Sequence, residues 1–560
     1  MAEKDIEKGD IENVAEPSRE SSISTFVNSP KTRDQDDVDT KPEISQTTDK
    51  TALTNEKQAA ASVKSSEGQS AKPVLRSERR GLLAHFALLP EVDEPKQYSR
   101  RTKWLITFIV AFAGAAAPAG SGILLPALQD IAGDLHTTPT ITNLSVALYM
   151  LSLAIWPLWW SSFSETLGRR SIYLVSFALY ILWCVLSAVS NSIGMFIVMR
   201  MLNGGASGSV QAVGAGTIAD IWEVRERGRA MGIFYLGPLC GPLLSPIIGG
   251  ALNERWGWRS TQWFCVIYGG IVWLAVLFGL PETLQNRKPI TQAGTDRPSL
   301  QRTTTRESVQ IKTKKWLVIL RRFFVDPLRI ILTLRFGAVA LTVWLASTTF
   351  FCLYFLNISV QQVFAAPPYN LSSIIVGLLY IPNSLGYITA SVFGGRWVDR
   401  IMRDKAERAQ RKDKNGKLIF LPEDRMGKNA WVAAVLFPVS MVWYGWTAQK
   451  GVMWIVPMIS NFFFGVSSMI TFGMATTMLT EFMPKKASHG IAANNFIRNI
   501  FATVSGIVAE PMIRAIGNGW CFTIWAIIVA ISGPMVIILM KRYGTHWRRK
   551  LDRELNQDEQ

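Results

Sequence analysis

Twelve apolar stretches follow one another along most of the chain, each near the length a helix needs to cross a bilayer. They lie near 104–125, 141–162, 171–190, 194–219, 230–252, 261–281, 333–356, 373–395, 429–448, 452–480, 491–513 and 519–541. A helix rises about 1.5 Å per residue, so roughly 20 apolar residues match a hydrocarbon core about 30 Å thick. Backbone groups in lipid must be satisfied within the structure, and runs of this length do so as helices. Composition agrees: 49% of the residues are hydrophobic and 18% charged, against about 25% charged in soluble domains. An ordinary soluble enzyme, a disulfide-rich secreted domain and a wholly disordered chain are excluded. The expected fold class is an all-α membrane protein with twelve transmembrane helices.

A polar, Thr/Arg-rich segment, 282–332, interrupts the series after the sixth run. It divides the chain into two six-helix bundles, 101–281 and 333–541, with tails at 1–100 and 542–560. The net charge of +17 is unevenly spread. Residues 1–100 hold 15 Lys+Arg and 19 Asp+Glu, and the rest holds 44 and 23. With the N-terminus inside, inner loops and C-tail beyond residue 160 carry about 36 Lys+Arg, and outer loops only Arg255, Arg259, Lys450 and Arg514. That asymmetry predicts both termini cytosolic. It is a topology signal, so no nucleic-acid partner is expected.

The first 78 residues are rich in Ser, Thr, Asp, Glu, Lys and Gln. They cannot bury enough apolar surface to offset ordering entropy, which predicts a disordered cytosolic tail open to phosphorylation. No basic region followed by an apolar one marks a signal peptide. The short apolar piece Gly81–Pro90 cannot span; it lies at the interface or docks against the cytosolic ends of the spans. Cys184, Cys240, Cys265, Cys352 and Cys521 sit singly inside apolar runs and read as small buried hydrophobes. No cofactor or metal is expected. Asp130 and Asp134, with His136, read as a solvated loop. Asn357 and Asn370 head sequons in the predicted outer loop 357–372 and are candidate glycosylation sites.

Polar and helix-breaking residues inside spans carry the functional signal, because lipid does not require them. In span 5, Gly237, Gly241, Ser245 and Gly249 recur every four residues and form one smooth face for close helix packing. Pro238, Pro242 and Pro246 each follow a small residue and remove backbone donors, which predicts bending. Between spans 2 and 3, Glu165, Gly168, Arg169 and Arg170 form a short charged turn able to latch a neighbouring helix end. Gly395, Asp399 and Arg400 repeat the design after span 8, supporting internal duplication.

With these motifs the chain resembles the major facilitator superfamily, in its twelve-span drug:proton antiporter branch. Gly168, Arg169 and Arg170 match the family's first cytosolic-loop motif, with Ser161, Glu165 and Thr166 departing from it. Gly237, Gly241, Pro242, Gly249 and Gly250 match the antiporter motif, and Ser245-Pro246-Ile247-Ile248 stands as an inserted unit in register. Arg200 with Gly204, Gly205 and Gly208 matches the span-4 motif, and Pro281-Glu282-Thr283 fits the close of span 6. The pre-span segment from Gly81 to Glu91 and Asn494–Asn499 resemble the fungal quinidine-resistance and dityrosine-exporter subgroup.

The resemblance implies alternating access between two bundles and proton-coupled export of small amphipathic or cationic compounds at the plasma membrane. It assigns Arg200 to proton coupling, with snorkelling to the outer interface as the bland reading. Glu510 is the best intramembrane carboxylate; it exchanges protons or merely pairs with Arg514. Arg498, which shares a helix face with Asn494, is a third candidate for proton coupling. Tyr149, Asn203, Gln211, Trp344, Tyr380, Asn383, Tyr387 and Asn461 are candidate cavity residues. No Walker motif, Ser-His-Asp set or H-E-x-x-H occurs, so neither ATP-driven pumping nor an enzyme is expected. Export of polyamines or of an aromatic metabolite such as a dityrosine precursor, and a sensor signalling through the N-tail, are the alternatives.

Overall fold

The computed structural model describes residues 74–284, 326–411, 418, 421–482 and 487–557. The predicted disordered tail and the middle of the 282–332 loop lie outside them. All the described residues belong to one unit that starts at Ser70.

The described residues are helical nearly throughout. Ten helical segments are long and apolar enough to cross a membrane: Arg100–Asp134, Pro139–Leu167, Arg169–Ala188, Arg259–Gly279, Gly337–Phe364, Ser373–Arg408, Lys428–Gln449, Ile455–Leu479, Gly490–Ile516 and Asn518–Lys550. Two more complete the expected twelve. Span 4 is Ile193–Ser207 followed by Ser209–Ile221, and span 5 is the 33-residue helix Val224–Trp256. Their Gly, Pro and Arg content makes them less apolar than the other ten without making them too short to span.

Several helices outrun their apolar stretches. Span 12 continues as helix to Gln557 and span 8 to Arg408. Hydropathy marks the lipid boundary, whereas helix formation continues through residues such as Arg, Lys, Glu and Leu, which favour it on either side. Span 7 reaches Phe364, not 356. Asn357 is therefore not in a loop: its carbonyl accepts a hydrogen bond from Tyr380, and neighbouring Ser359 is fully buried. Asn370 keeps its expected loop position, exposed and with φ of 47°.

Spans 1–6 pack around one apolar core that includes Ile106, Val110, Phe177, Phe196 and Val276. Spans 7–12 pack around two others, one holding Phe351, Phe355, Tyr444 and Phe522, the second Val343, Met474, Met478 and Met540. The halves meet through span 2 against span 11 and span 5 against span 8. An even number of crossings puts the described start and end on one face, together with the Lys/Arg-rich loops. We call it the basic face and its opposite the far face. Cys184, Cys265, Cys352 and Cys521 are buried free thiols, as expected.

Candidate functional site

The stripe on span 5 sets how closely the helices approach. A methyl group on Gly237 would overlap the Ala111 carbonyl oxygen, and one on Gly249 the Ile123 carbonyl. At Gly241 it would lie 2.8 Å from Pro118 Cβ. Gly122 of span 1 faces Ser245. The predicted face is thus the face that touches span 1. Pro246 and Gly250 face the other way: a methyl on Gly250 would overlap the Ser373 carbonyl, and one on Gly377 the Pro246 carbonyl. Span 5 is wedged between span 1 of its own half and span 8 of the other. Its helix runs unbroken through Pro238, Pro242 and Pro246.

Beside this wedge, Arg200 is fully buried. Its Nη2 donates to the Gly120 carbonyl at 2.7 Å, and its guanidinium stacks 4.4 Å from the centre of the Tyr149 ring. Nε and Nη1 are buried without a hydrogen-bond partner. The snorkelling alternative is therefore wrong. Tyr149 is held by its hydroxyl, which donates to the Ala117 carbonyl at 2.9 Å and contacts Ser207 at 3.0 Å.

A second cation sits in the other half. The Arg498 guanidinium lies 4.3 Å from the Phe350 ring centre and 5.3 Å from that of Phe472. The phenols of Tyr354 and Tyr235 are within its electrostatic range. Tyr354 also reaches Ser121 of the first half at 3.4 Å, so this cluster bridges the halves. Asn494, one turn before Arg498, is buried with neither amide atom hydrogen-bonded. A desolvated guanidinium between aromatic faces is stabilised by the ring quadrupoles.

Tyr387 lies beside Asn383 and Ser468 and within electrostatic range of the Tyr354 phenol, which brings two predicted cavity residues to the cluster. Trp344 is half-exposed and packs edge-on against Phe501 at 5.7 Å. Gln211 is half-buried with its side-chain oxygen unpartnered. Asn203 and Tyr380 join helices instead: Asn203 donates to Cys184 Sγ at 2.7 Å and Tyr380 to the Asn357 carbonyl at 2.8 Å. Asn461 donates to Met458 Sδ of its own helix at 3.7 Å, and its side-chain oxygen is buried without a partner. Sequence reasoning missed Tyr235, Phe350, Tyr354 and Phe472. They read as ordinary apolar filling until span 11 aims Arg498 between them.

The far face carries the polar contacts that clamp the halves. Asn253 donates to Asp130, and to Ser373 Oγ at 3.0 Å; Ser373 donates back to Asp130 at 3.4 Å. The Ile374 amide donates to Glu254 at 3.0 Å. On the other seam, Thr140 donates to the buried Glu510 carboxylate, which also pairs with Arg514. Nearer the middle, Asn499 donates to the Leu153 carbonyl at 3.2 Å. Asp130 and Asp134 are exposed, as expected, but lie on the helix Leu128–Asp134 and not in a loop, and Asp134 accepts from Trp258 at 3.0 Å and pairs with Arg259 at 2.9 Å. Apart from Glu510 with Arg514, one helical turn apart, each contact joins positions at least 120 apart, as in Ile374 with Glu254, so the sequence does not pair them.

Cutting this clamp has a measurable consequence. The Asn253→Ala substitution removes the amide that joins Asp130 to Ser373. A hydrogen bond to a charged group contributes about 1.5–3 kcal/mol. We expect roughly tenfold faster labelling of Ser121→Cys by an impermeant thiol reagent applied to the far face. An unchanged rate would mean that the clamp does not hold the face shut.

On the basic face of the first half, the Gly168–Arg170 turn joins neighbouring helix ends. Arg169 pairs with Asp220 at 3.1 Å and donates to Ser164, and its amide donates to Glu282 at 2.9 Å. The carboxylate paired with Arg169 is Asp220, which ends span 4. Gly168 sits at φ 99°, a conformation that favours glycine. Arg170 is fully buried and donates to the carbonyls of Val276, Leu277 and Leu280 at the end of span 6, and to those of Leu82 and Leu83. The pre-span segment is therefore docked on the helix ends. The second copy is different: Gly395, Asp399 and Arg400 are exposed. There the equivalent pair is Arg425, forked on Glu481 at 2.9 Å. Glu481 closes span 10 as Asp220 closes span 4, a correspondence visible only through the six-span repeat.

The comparisons agree with this architecture. The Major Facilitator Superfamily profile matches residues 110–506. The chain is 36% identical to the MFS antiporter QDR3 of Candida albicans, covering 85% of this chain and 82% of that one. It is 31% identical to quinidine resistance protein 3 of Saccharomyces cerevisiae, covering 86% and 88%. Among solved structures, a D-xylose-proton symporter superposes with a TM-score of 0.56 at 14% identity, over 77% of this chain and 97% of that chain. Twelve spans in paired halves, the glycine wedge of span 5 and the matching profile have one conclusion: the chain belongs to the major facilitator superfamily.

Proposed function

We propose that the chain exports small amphipathic compounds across the plasma membrane in exchange for protons, with the basic face and both termini in the cytosol. The Lys/Arg asymmetry between loops supports that orientation. The observation that carries the reading is the aromatic cluster around Arg498, shared between halves that are clamped together on the far face. Rocking the two six-helix halves about this cluster would expose it to either side in turn. The quinidine-resistance relatives favour xenobiotic cargo.

Arg200 and Glu510 are the proposed coupling pair, and Arg498 the charge at the cargo site. Glu510 belongs to the far seam, where Thr140 and Arg514 hold its carboxylate. A proton arriving from the far side weakens both contacts, because a neutral acid loses its pairing with Arg514. Opening would then follow protonation. The motif glycines and prolines of span 5 serve as the sliding contact, and the latches of the basic face as stops.

A second reading concerns the cargo. A guanidinium between aromatic rings repels cations and welcomes aromatic carboxylates, which favours an aromatic metabolite over a polyamine. The Arg498→Gln variant is expected to slow export of an aromatic acid at least tenfold and that of a cationic drug far less. Equal losses would set this reading aside.

The experiment for coupling is flux in proteoliposomes with an imposed pH gradient, with and without a protonophore. Glu510→Gln and Arg200→Ala are expected to abolish gradient-driven export, and Glu510→Gln to keep cargo exchange without a gradient. Wild-type dependence on pH in both variants would remove these residues from the mechanism.

A further inference from the structure

The helix of span 12 runs from Asn518 to Gln557, although its apolar run ends near residue 541. Where it crosses that boundary it leaves an open groove of about 770 Å³ against the start of span 7. Gly337, Ala340 and Leu341 form one wall; Leu539, Tyr543 and Trp547 form the other. The lining is apolar apart from the Tyr543 hydroxyl, the Trp547 indole nitrogen and His546, which is exposed. Tyr543 and Trp547 pack together with ring centres 5.7 Å apart, at the depth where such residues mark the lipid–water boundary.

The charge at the mouth has one sign. From Lys541 to Arg553 the helix carries six Lys+Arg and a single acid, Asp552. Lys541, Arg542, Arg549 and Lys550 are exposed. Positions 539, 542, 543, 546, 549 and 550 recur three and four apart, so the basic rim continues the face that lines the groove. An occupant that fits has an apolar body for the trough and an anionic head for the rim. The chain's own central loop is a poor one, since residues 285–325 hold ten Lys+Arg and two Asp+Glu.

We infer that this groove is a binding site for one anionic glycerophospholipid of the basic-face leaflet. An acyl chain lies along Ala340, Leu341 and Leu539, and the phosphate and acidic headgroup meet Arg542, His546 and Arg549. Zwitterionic lipid fills the trough without engaging the rim. The lipid lies along spans 7 and 12 beside the place where Trp547 packs on Gly337.

The test uses the full chain reconstituted in nanodiscs of phosphatidylcholine with a minority of phosphatidylserine. Lipid retained after stepwise delipidation is counted by native mass spectrometry. Wild-type protein is expected to keep phosphatidylserine in preference to phosphatidylcholine. Combined Arg542→Gln, His546→Gln and Arg549→Gln should lower phosphatidylserine retention roughly tenfold and leave phosphatidylcholine unchanged, in keeping with the pull of basic residues on anionic lipid. If the triple variant fails to fold, Arg542→Gln alone should give about a fivefold drop. Ala340→Phe fills the trough and should lower retention of both lipids. Equal retention of the two lipids by the wild type, or unchanged preference in the charge variant, would overturn the assignment. A dimer mass that disappears with Ala340→Phe would give the groove to a second copy instead.

Discussion

The Gly237→Ala variant is expected to lose nearly all transport and much of its thermal stability, while Gly232→Ala on the same helix keeps both. The two glycines differ only in what stands opposite. A methyl at position 237 overlaps the Ala111 carbonyl of span 1, whereas nothing lies within 4 Å at position 232. Backbone cannot yield as a flexible side chain does, so spans 1 and 5 must separate. Overpacking of this kind costs about 1–3 kcal/mol, and the lost contact runs along the whole wedge. At Gly232 the same change stabilises a helix by about 0.5–1 kcal/mol. Gly249→Ala repeats the test against the Ile123 carbonyl, and Gly250→Ala against Ser373 of the other half. The first three variants probe packing within one half. Gly250→Ala touches the seam that opens during transport, so it should shift the conformational balance before it shifts melting. Size-exclusion thermal melts with flux in proteoliposomes separate these effects. Full transport by Gly237→Ala would show that the wedge tolerates a gap.

The glycine wedge was legible in the sequence because its spacing is a property of one helix. A small residue every fourth position needs no partner to be seen. The number of spans was legible for the same reason, since each is a local apolar run. What stayed hidden is made between helices. Asp130 looks like a loop acid until span 5 brings Asn253 and span 8 brings Ser373 to it. Phe350 and Phe472 look like lipid contacts until Arg498 enters between them. Asn203 and Tyr380 misled in the opposite sense. A polar residue in a span needs a partner, and a neighbouring helix supplies one as readily as a substrate does. The duplicated motif misled through its own letters: Gly395, Asp399 and Arg400 preserve the pattern, but the pairing passed to Arg425 and Glu481.

Arg170→Ala is expected to be the most destabilising single change at the basic face. The five carbonyls that Arg170 holds belong to two elements far apart in sequence: Val276, Leu277 and Leu280 close span 6, and Leu82 and Leu83 precede span 1. Carbonyls in the last turn of a helix mostly lack a partner within it and must find one outside; of the five, Val276 also accepts from the Leu280 amide and Leu83 from the Phe86 amide. Hydrogen bonds to a charged group contribute about 1.5–3 kcal/mol each, and a buried carbonyl left unpaired adds its desolvation cost. Even with heavy discounting for relaxation and water entry, the loss should exceed about 3 kcal/mol. Arg170→Lys should rescue little, because a single ammonium has three donors at one point and no planar fork to span both elements. Limited proteolysis gives the specific readout. With Arg170 gone, the segment around Leu82 should be cut early, ahead of any cut in spans 7–12. Arg169→Ala is the contrasting variant. It breaks one pair with Asp220 and one contact with Ser164 but keeps the amide bond to Glu282, since that donor is backbone. Its melting should fall less, and the pre-span segment should stay protected. Equal protection of that segment in both variants would mean that Leu88, whose amide donates to the Phe278 carbonyl at 2.8 Å, suffices to dock it without Arg170.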